Sequence, residues 1–246
     1  MSLVLVAHGT RRSAGVTMIG DLAAQVSALV DRAVQVAFVD VLGPTPSEVL
    51  SALPAADRAV VVPAFLSRGY HVRRDLPAHV AASGHPDVIV TPALGPSTEI
   101  ARIVARQLVE SGWRPGDSVI LAAAGTSDRR ARADLRTTTR LLSRLTGSRV
   151  DLAFAATGNP TVHRAVHMAR RRGGQRVVVA SYLLADGLFQ QRLHASGADL
   201  VTPPLGTHPG LARLIAARFG GAALPATRVE EARGKGAPTP ASLDLW

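Results

Sequence analysis

Short runs of β-branched and other apolar residues alternate with longer stretches of helical spacing along the whole chain. The runs at 3–7, 34–40, 59–65, 87–91, 118–124, 149–155, 176–183 and 199–202 are nearly continuous in their apolar character rather than alternating. That is the pattern of parallel strands buried on both faces. Between them, 14–30, 97–111, 128–146, 160–172 and 208–219 have helical spacing, with Leu22, Val26, Leu29 and Val30 on one stripe. Strand–helix repetition predicts an α/β fold with parallel sheets. The longest apolar runs, such as Ala59 to Leu66, are short of the roughly 18 residues a bilayer span needs. Met1-Ser2 leads directly into Leu3-Val4-Leu5-Val6 with no basic segment, so the expected location is the cytoplasm.

Sliding the second half under the first exposes a repeat. Leu5-Val6-Ala7-His8-Gly9-Thr10 lies over Leu121-Ala122-Ala123-Ala124-Gly125-Thr126 at an offset of 116, as does Val34 to Phe38 over Val150 to Phe154. Val60-Val61-Val62 meets Val177-Val178-Val179 one residue further on, and Thr91 to Gly95 meets Thr202 to Gly206 after a short deletion. The expected layout is two similar lobes of four strands each, 1–112 and 113–224. Their seam lies in the Gly- and Pro-punctuated Ser111 to Asp117, and a flexible tail follows at 225–246.

Composition narrows the chemistry. With no Cys, there is no disulfide framework, thiol nucleophile or thiolate metal cage, so any metal must bind nitrogen or oxygen. The net charge of +10 is uneven: residues 1–112 hold nine Arg against nine acids, and 113–224 hold sixteen Arg against six. This asymmetry fits an anionic partner facing the second half, or a solvated arginine-rich surface.

Ligands of open parallel sheets bind outside the carboxyl ends of the strands. His8 and Gly9 follow the first strand, Asp40 ends the second, and Ser67-Arg68-Gly69-Tyr70-His71 follows the third. Two imidazoles and a carboxylate from three strand ends are a ligand set for a divalent first-row metal. The repeat is an internal control: His8 falls over Ala124, Asp40 over Ala156 and His71 approximately over Phe189, so the polar set belongs to the first lobe alone. The competing reading is two separate hydrogen-bonded histidines. His163 and His167 share a helix face without a third ligand, and His79 and His85 read as solvent-facing. No G-x-S-x-G, Walker A or G-x-G-x-x-G motif follows a strand, which argues against a serine hydrolase, a nucleotide hydrolase or a dinucleotide enzyme.

Val4-Leu5-Val6-Ala7-His8-Gly9-Thr10-Arg11 and Val61 to Pro77, with its G-x-H-V-x-x-D-[IL]-P run, resemble the two signatures of the class II, ATP-independent tetrapyrrole chelatases of the sirohydrochlorin type. The resemblance extends from residue 1 to about 220. It implies insertion of a divalent metal into a macrocycle between two lobes, with His8 and His71 handling the metal and abstracting protons. Asp40 stands where the family commonly has Glu. It also implies no permanently bound cofactor, with Fe2+ or Co2+ as a substrate, and a monomer whose joined lobes mimic a dimer of smaller members. Sirohydrochlorin is a polycarboxylate, and guanidinium forks recognise carboxylates. Gly9, Thr10, Arg11, Gly69 and some of Arg129, Arg130 and Arg132 are therefore expected at the substrate.

Iron insertion for sirohaem is the first reading and cobalt insertion for cobalamin the second, because donor type does not separate the two ions. A non-catalytic binder of an anionic tetrapyrrole or of nucleic acid is the alternative from another class. An aromatic content of 4% argues against a nucleic-acid surface.

Overall fold

Among the described residues, eight parallel strands form two separate sheets. The first contains β1 (Ser2–Ala7), β2 (Val34–Phe38), β3 (Ala59–Pro63) and β4 (Val88–Val90) in the order β2-β1-β3-β4. The second repeats it with β5 (Ser118–Ala123), β6 (Val150–Phe154), β7 (Val177–Tyr182) and β8 (Leu200–Val201) in the order β6-β5-β7-β8. The computed structural model describes residues 1–173 and 176–223. The tail expected at 225–246 lies outside the described residues. Pairing registers refine the repeat: Leu3 pairs with Val60, and its counterpart Val119 pairs with Val178. The third strands are thus equivalent at an offset of 118 (Val60 to Val178), not 117.

The helices are α1 (Ser13–Val30), α2 (Pro46–Ser51), α3 (Leu76–Ser83), α4 (Thr98–Glu110), α5 (Arg129–Thr146), α6 (Val162–Arg171), α7 (Leu188–His194) and α8 (Pro209–Ala223). A π-helical turn over His71–Asp75 leads into α3. Strand alternation sorts the side chains into layers. Leu3, Leu5 and Ala7 join the central core between the sheets with residues of α1, α4, α5 and α8, while Val4 and Val6 face an outer core with Val49, Leu50 and Leu76. Ile120 and Ala122 face the opposite outer core, with Val162, Val166 and Leu193 from α6 and α7.

Packing does not follow the seam near residue 112. The helix after each fourth strand crosses to the other half: α4 lies against α5 and β7, and α8 lies against α1 and β3. Leu211, Ile215 and Phe219 of α8 are buried in the shared core, as are Ile100, Val104 and Leu108 of α4. Each such side chain contributes about 1.5–3 kcal/mol of burial, so each lobe depends on a helix from the other half.

α1 is 18 residues long with a mean hydropathy of 1.3, the length and composition of a membrane-crossing helix. Its Ile19, Leu22, Ala23 and Val26 are buried in the central core.

Candidate metal centre and interlobe cleft

The order β2-β1-β3-β4 reverses direction between β1 and β3, and such a switch point opens a crevice at the carboxyl ends of those strands. His8 leaves the end of β1, and His71 begins the π-helical turn that follows the loop after β3. Asp40 follows β2. Ligand atoms of His8, Asp40 and His71 all lie within 4.8 Å of one another, a span that one cation can bridge. The two rings meet edge to face, 4.6 Å between centroids at an interplanar angle of 87°.

Hydrogen bonds fix which atoms are free. Nδ1 of His8 donates to the carbonyl of Gly9 at 2.7 Å, since a carbonyl only accepts. Nδ1 of His71 donates to Asp75 Oδ2 at 2.6 Å. Each ring therefore offers Nε2 as its lone-pair atom, and the carboxylate behind His71 orients the ring. Asp75 was not anticipated as a site residue, although His71 and Asp75 both stand in the signature run and are four residues apart. Asp40 Oδ1 accepts the Val41 N–H at 2.7 Å, which leaves Oδ2 free. Val41 pays for that turn with φ 71°, a left-handed conformation that a β-branched residue seldom adopts. Asp75→Asn is expected to weaken Co2+ binding by about 10- to 100-fold with little change in melting temperature. Titration of the apoprotein with the metal checks it.

A cavity of about 670 Å³ opens between the lobes beside this cluster. Its walls come from both repeats: Ala7 to Arg12, Val41 and Ala64 to Ser67 on one side, and Ala123 to Thr126 and Tyr182 to Phe189 on the other. Of the residues expected at the substrate, Gly9, Thr10 and Arg11 line it. Gly69, Arg129, Arg130 and Arg132 do not. At the repeat offset of 116, Arg129 and Arg130 correspond to Ser13 and Ala14, which open α1, so both are already helical and past the cleft loop. Arg132 is turned back, its Nε donating to the Thr126 carbonyl at 2.9 Å. Arg12 lines the cavity and was not anticipated.

Gly9 has a steric reason to be glycine, because a Cβ there would overlap the Asp40 carbonyl oxygen. Gly125 in the second lobe meets the Thr157 carbonyl in the same way. The backbone bonds on both flanks keep the offset of 116, Phe38 N–H to the Pro44 carbonyl and Phe154 N–H to the Pro160 carbonyl, so Ala156 is the counterpart of Asp40. The glycines serve a backbone approach common to both lobes, whereas the imidazoles belong to one.

Two similar α/β lobes gather two histidines and an aspartate at the strand ends on one side of a shared cleft, the layout of a candidate metal centre. The profile of the CbiX family matches residues 2–111 and 118–222, and the chain belongs to that family. It is 25% identical over 232 residues to a sirohydrochlorin ferrochelatase of Priestia megaterium, covering 87% of each chain. It is 28% identical over 210 residues to a sirohydrochlorin cobaltochelatase of the same organism, covering 78% of this chain and 67% of the relative. Among solved structures, SirB from Bacillus subtilis with Fe3+ superposes with a TM-score of 0.75 at 18% identity, covering 89% of this chain and 94% of the other. CbiX, described as the terminal enzyme for biosynthesis of siroheme in denitrifying bacteria, gives a TM-score of 0.68 at 20% identity, covering 92% of this chain and 100% of the other.

Proposed function

We propose that the protein inserts a divalent metal into sirohydrochlorin without ATP, with iron as the metal and sirohaem as the product. The observation that carries this reading is the His8–Asp40–His71 cluster beside the interlobe cleft in a chain of the CbiX family. The balance of the reaction is simple: the ion enters the ring as two pyrrole N–H protons leave. A site with few protein ligands keeps coordination positions open for the macrocycle nitrogens, as delivery requires. The free Nε2 atoms of His8 and His71 divide two tasks between them, holding the ion and accepting a proton, both of which neutral imidazole performs near pH 7. Asp40 offsets the charge of the ion. The repeat supplies both walls of the cleft from one chain, so the monomer is the working unit.

The iron reading is supported by the ferrochelatase relative, whose alignment covers 87% of both chains. Cobalt is the second reading, supported by the 28% identity to a cobaltochelatase. Anaerobic incubation of sirohydrochlorin with Fe2+, with Co2+ and with both in competition, followed by absorbance, tests the activity and ranks the metals. No metallation above the protein-free rate with either ion rejects the activity, and a higher kcat/KM for Co2+ rejects the iron assignment.

Among the described residues, Arg11 and Arg12 are the guanidiniums that line the cleft, and we assign them to the substrate carboxylates. Arg12→Glu is expected to raise the KM for sirohydrochlorin about tenfold, the equivalent of one charge-assisted hydrogen bond of about 1.5 kcal/mol, with kcat and Co2+ affinity unchanged. Arg129→Glu and Arg130→Glu are expected to leave KM as it is. Steady-state kinetics on the three variants checks both halves of this expectation.

A further inference from the structure

The segment carrying His71 is held by the opposite lobe. Leu66 accepts a hydrogen bond on its carbonyl from the Tyr182 hydroxyl at the end of β7, at 2.9 Å. Asp134 of α5 accepts three bonds from Arg68: Oδ2 from the backbone N–H at 2.8 Å and from Nε at 3.0 Å, and Oδ1 from the guanidinium at 2.6 Å. Arg73, inside the π-helical turn, pairs with Asp128, the residue that caps α5. Its Nε also returns to the Arg68 carbonyl at 3.2 Å, so the two clamps are tied together. They flank His71 three residues before it and two residues after it.

These pairs differ from ordinary surface ion pairs. The Asp134 side chain is only 3% exposed, and a carboxylate buried to that degree needs its lone pairs filled. The Arg68 fork fills them bidentately, a geometry that fixes direction as well as distance. Arg73 draws Asp128 into a second contact while the same carboxylate caps the backbone N–H groups of Arg130 and Ala131. Those N–H groups and the Arg73 guanidinium lower the Asp128 pKa and keep it charged. The Tyr182 hydroxyl is buried and its pKa is raised by desolvation, so it remains a donor to Leu66. The second lobe, which has no histidine at its own strand ends, thus holds the loop that presents the first lobe's histidine.

We infer that Asp134 and Asp128 are positioning residues that hold the His71 loop so that its ring meets His8 and Asp40 at ligand distance. The inference rests on the reading of those three residues as the metal-handling set. In this arrangement the second repeat is the jig against which the metal site is built, as well as the far wall of the cleft.

The test uses the full chain and Co2+ alone, added anaerobically to the apoprotein. Asp134→Asn and Asp128→Asn are expected to weaken Co2+ binding about tenfold or more, the scale for partners that orient metal ligands, while both variants still melt cooperatively. Arg73→Gln should match Asp128→Asn, and the double variant should be no worse than either single one, because they remove the same pair. Asp128→Glu, which keeps the charge, should restore most of the affinity. Asp151→Asn is the control: it breaks the pairing with Arg149 and Arg172 within the second lobe, so it can cost stability but should bind Co2+ as the wild type does. Folded Asp134→Asn and Asp128→Asn variants that bind Co2+ with wild-type affinity overturn the positioning role while leaving the site intact. Should Asp134→Asn fail to fold, Asp128→Asn and Arg73→Gln decide alone. A wild-type protein that binds no Co2+ overturns the reading of the site, and this role with it.

Discussion

His71→Ala is expected to lower the rate of metal insertion by about 10²- to 10⁴-fold, the range for a positioned acid–base group, and His8→Ala to do likewise. Neither loss should unfold the protein. His8 is exposed and His71 half-buried, and neither belongs to any of the three cores. The two substitutions differ in what they leave behind. His71→Ala removes the ring that Asp75 orients, so the carboxylate of Asp75 loses its partner beside the cleft. His8→Ala frees only the Gly9 carbonyl, which water can satisfy. If the two imidazoles act as a unit, the double variant should be little slower than either single one, because groups that share one task are not additive. The measurement is single-turnover absorbance under anaerobic conditions with saturating sirohydrochlorin and each metal in turn. Full activity in both single variants would remove the chemical role assigned to the pair. Comparing Co2+ affinity with turnover then separates the two tasks: the ring that mainly holds the ion loses affinity on replacement, and the ring that mainly takes the proton loses rate.

Much of this site was legible in the sequence because the chemistry of a parallel sheet collects at one edge. Once Leu3 to Ala7 and Ala59 to Pro63 read as strands, His8 and His71 were placed at neighbouring strand ends, and the repeat showed that neither had a counterpart in the second lobe. The short helices were less visible. α2 and α7 span six and seven residues, too few for helical periodicity to emerge, and α2 opens on a proline-containing turn that reads equally well as a loop. Other features were invisible for a physical reason. The crossing of α4 and α8 depends on which sheet each helix meets, and Arg68 finds Asp134 across 66 residues. Local pattern carries no signal for either. The absence of Arg129 and Arg130 from the cavity lining has a nearer cause. Arg11 and Arg12 sit in the loop before α1, but the equivalent loop positions in the second lobe are Ser127 and Asp128, and the two arginines stand two residues later, on the first turn of α5, which starts in the same register as α1.

Gly9→Ala is expected to damage the site and the fold together, in a proportion that reports how the two are joined. The added Cβ would meet the backbone carbonyl of Asp40. No rotamer change relieves a clash between two main-chain segments, so β1 and the loop after β2 must separate. Forcing an atom into such a contact costs about 1–3 kcal/mol, which for a chain of this size lowers the melting temperature by about 3–10 °C. The separation moves His8 and Asp40 apart, because each lies at the point of contact. Co2+ affinity should therefore fall further than the loss of stability alone accounts for, and the variant should remain impaired at temperatures where it is fully folded. Gly158→Ala supplies the comparison. Its Cβ would strike the Phe154 ring and its φ of 142° strains any other residue, so it too should melt earlier. Gly158 lies in the second lobe, outside both the cluster and the cavity lining. Thermal melts and Co2+ titrations on both variants give the answer: if the two lose stability equally and only Gly9→Ala loses the metal, the glycine after β1 is there to let a backbone pass close enough to bring a carboxylate to a histidine. Equal metal affinity in two equally destabilised variants would reduce Gly9 to a packing residue.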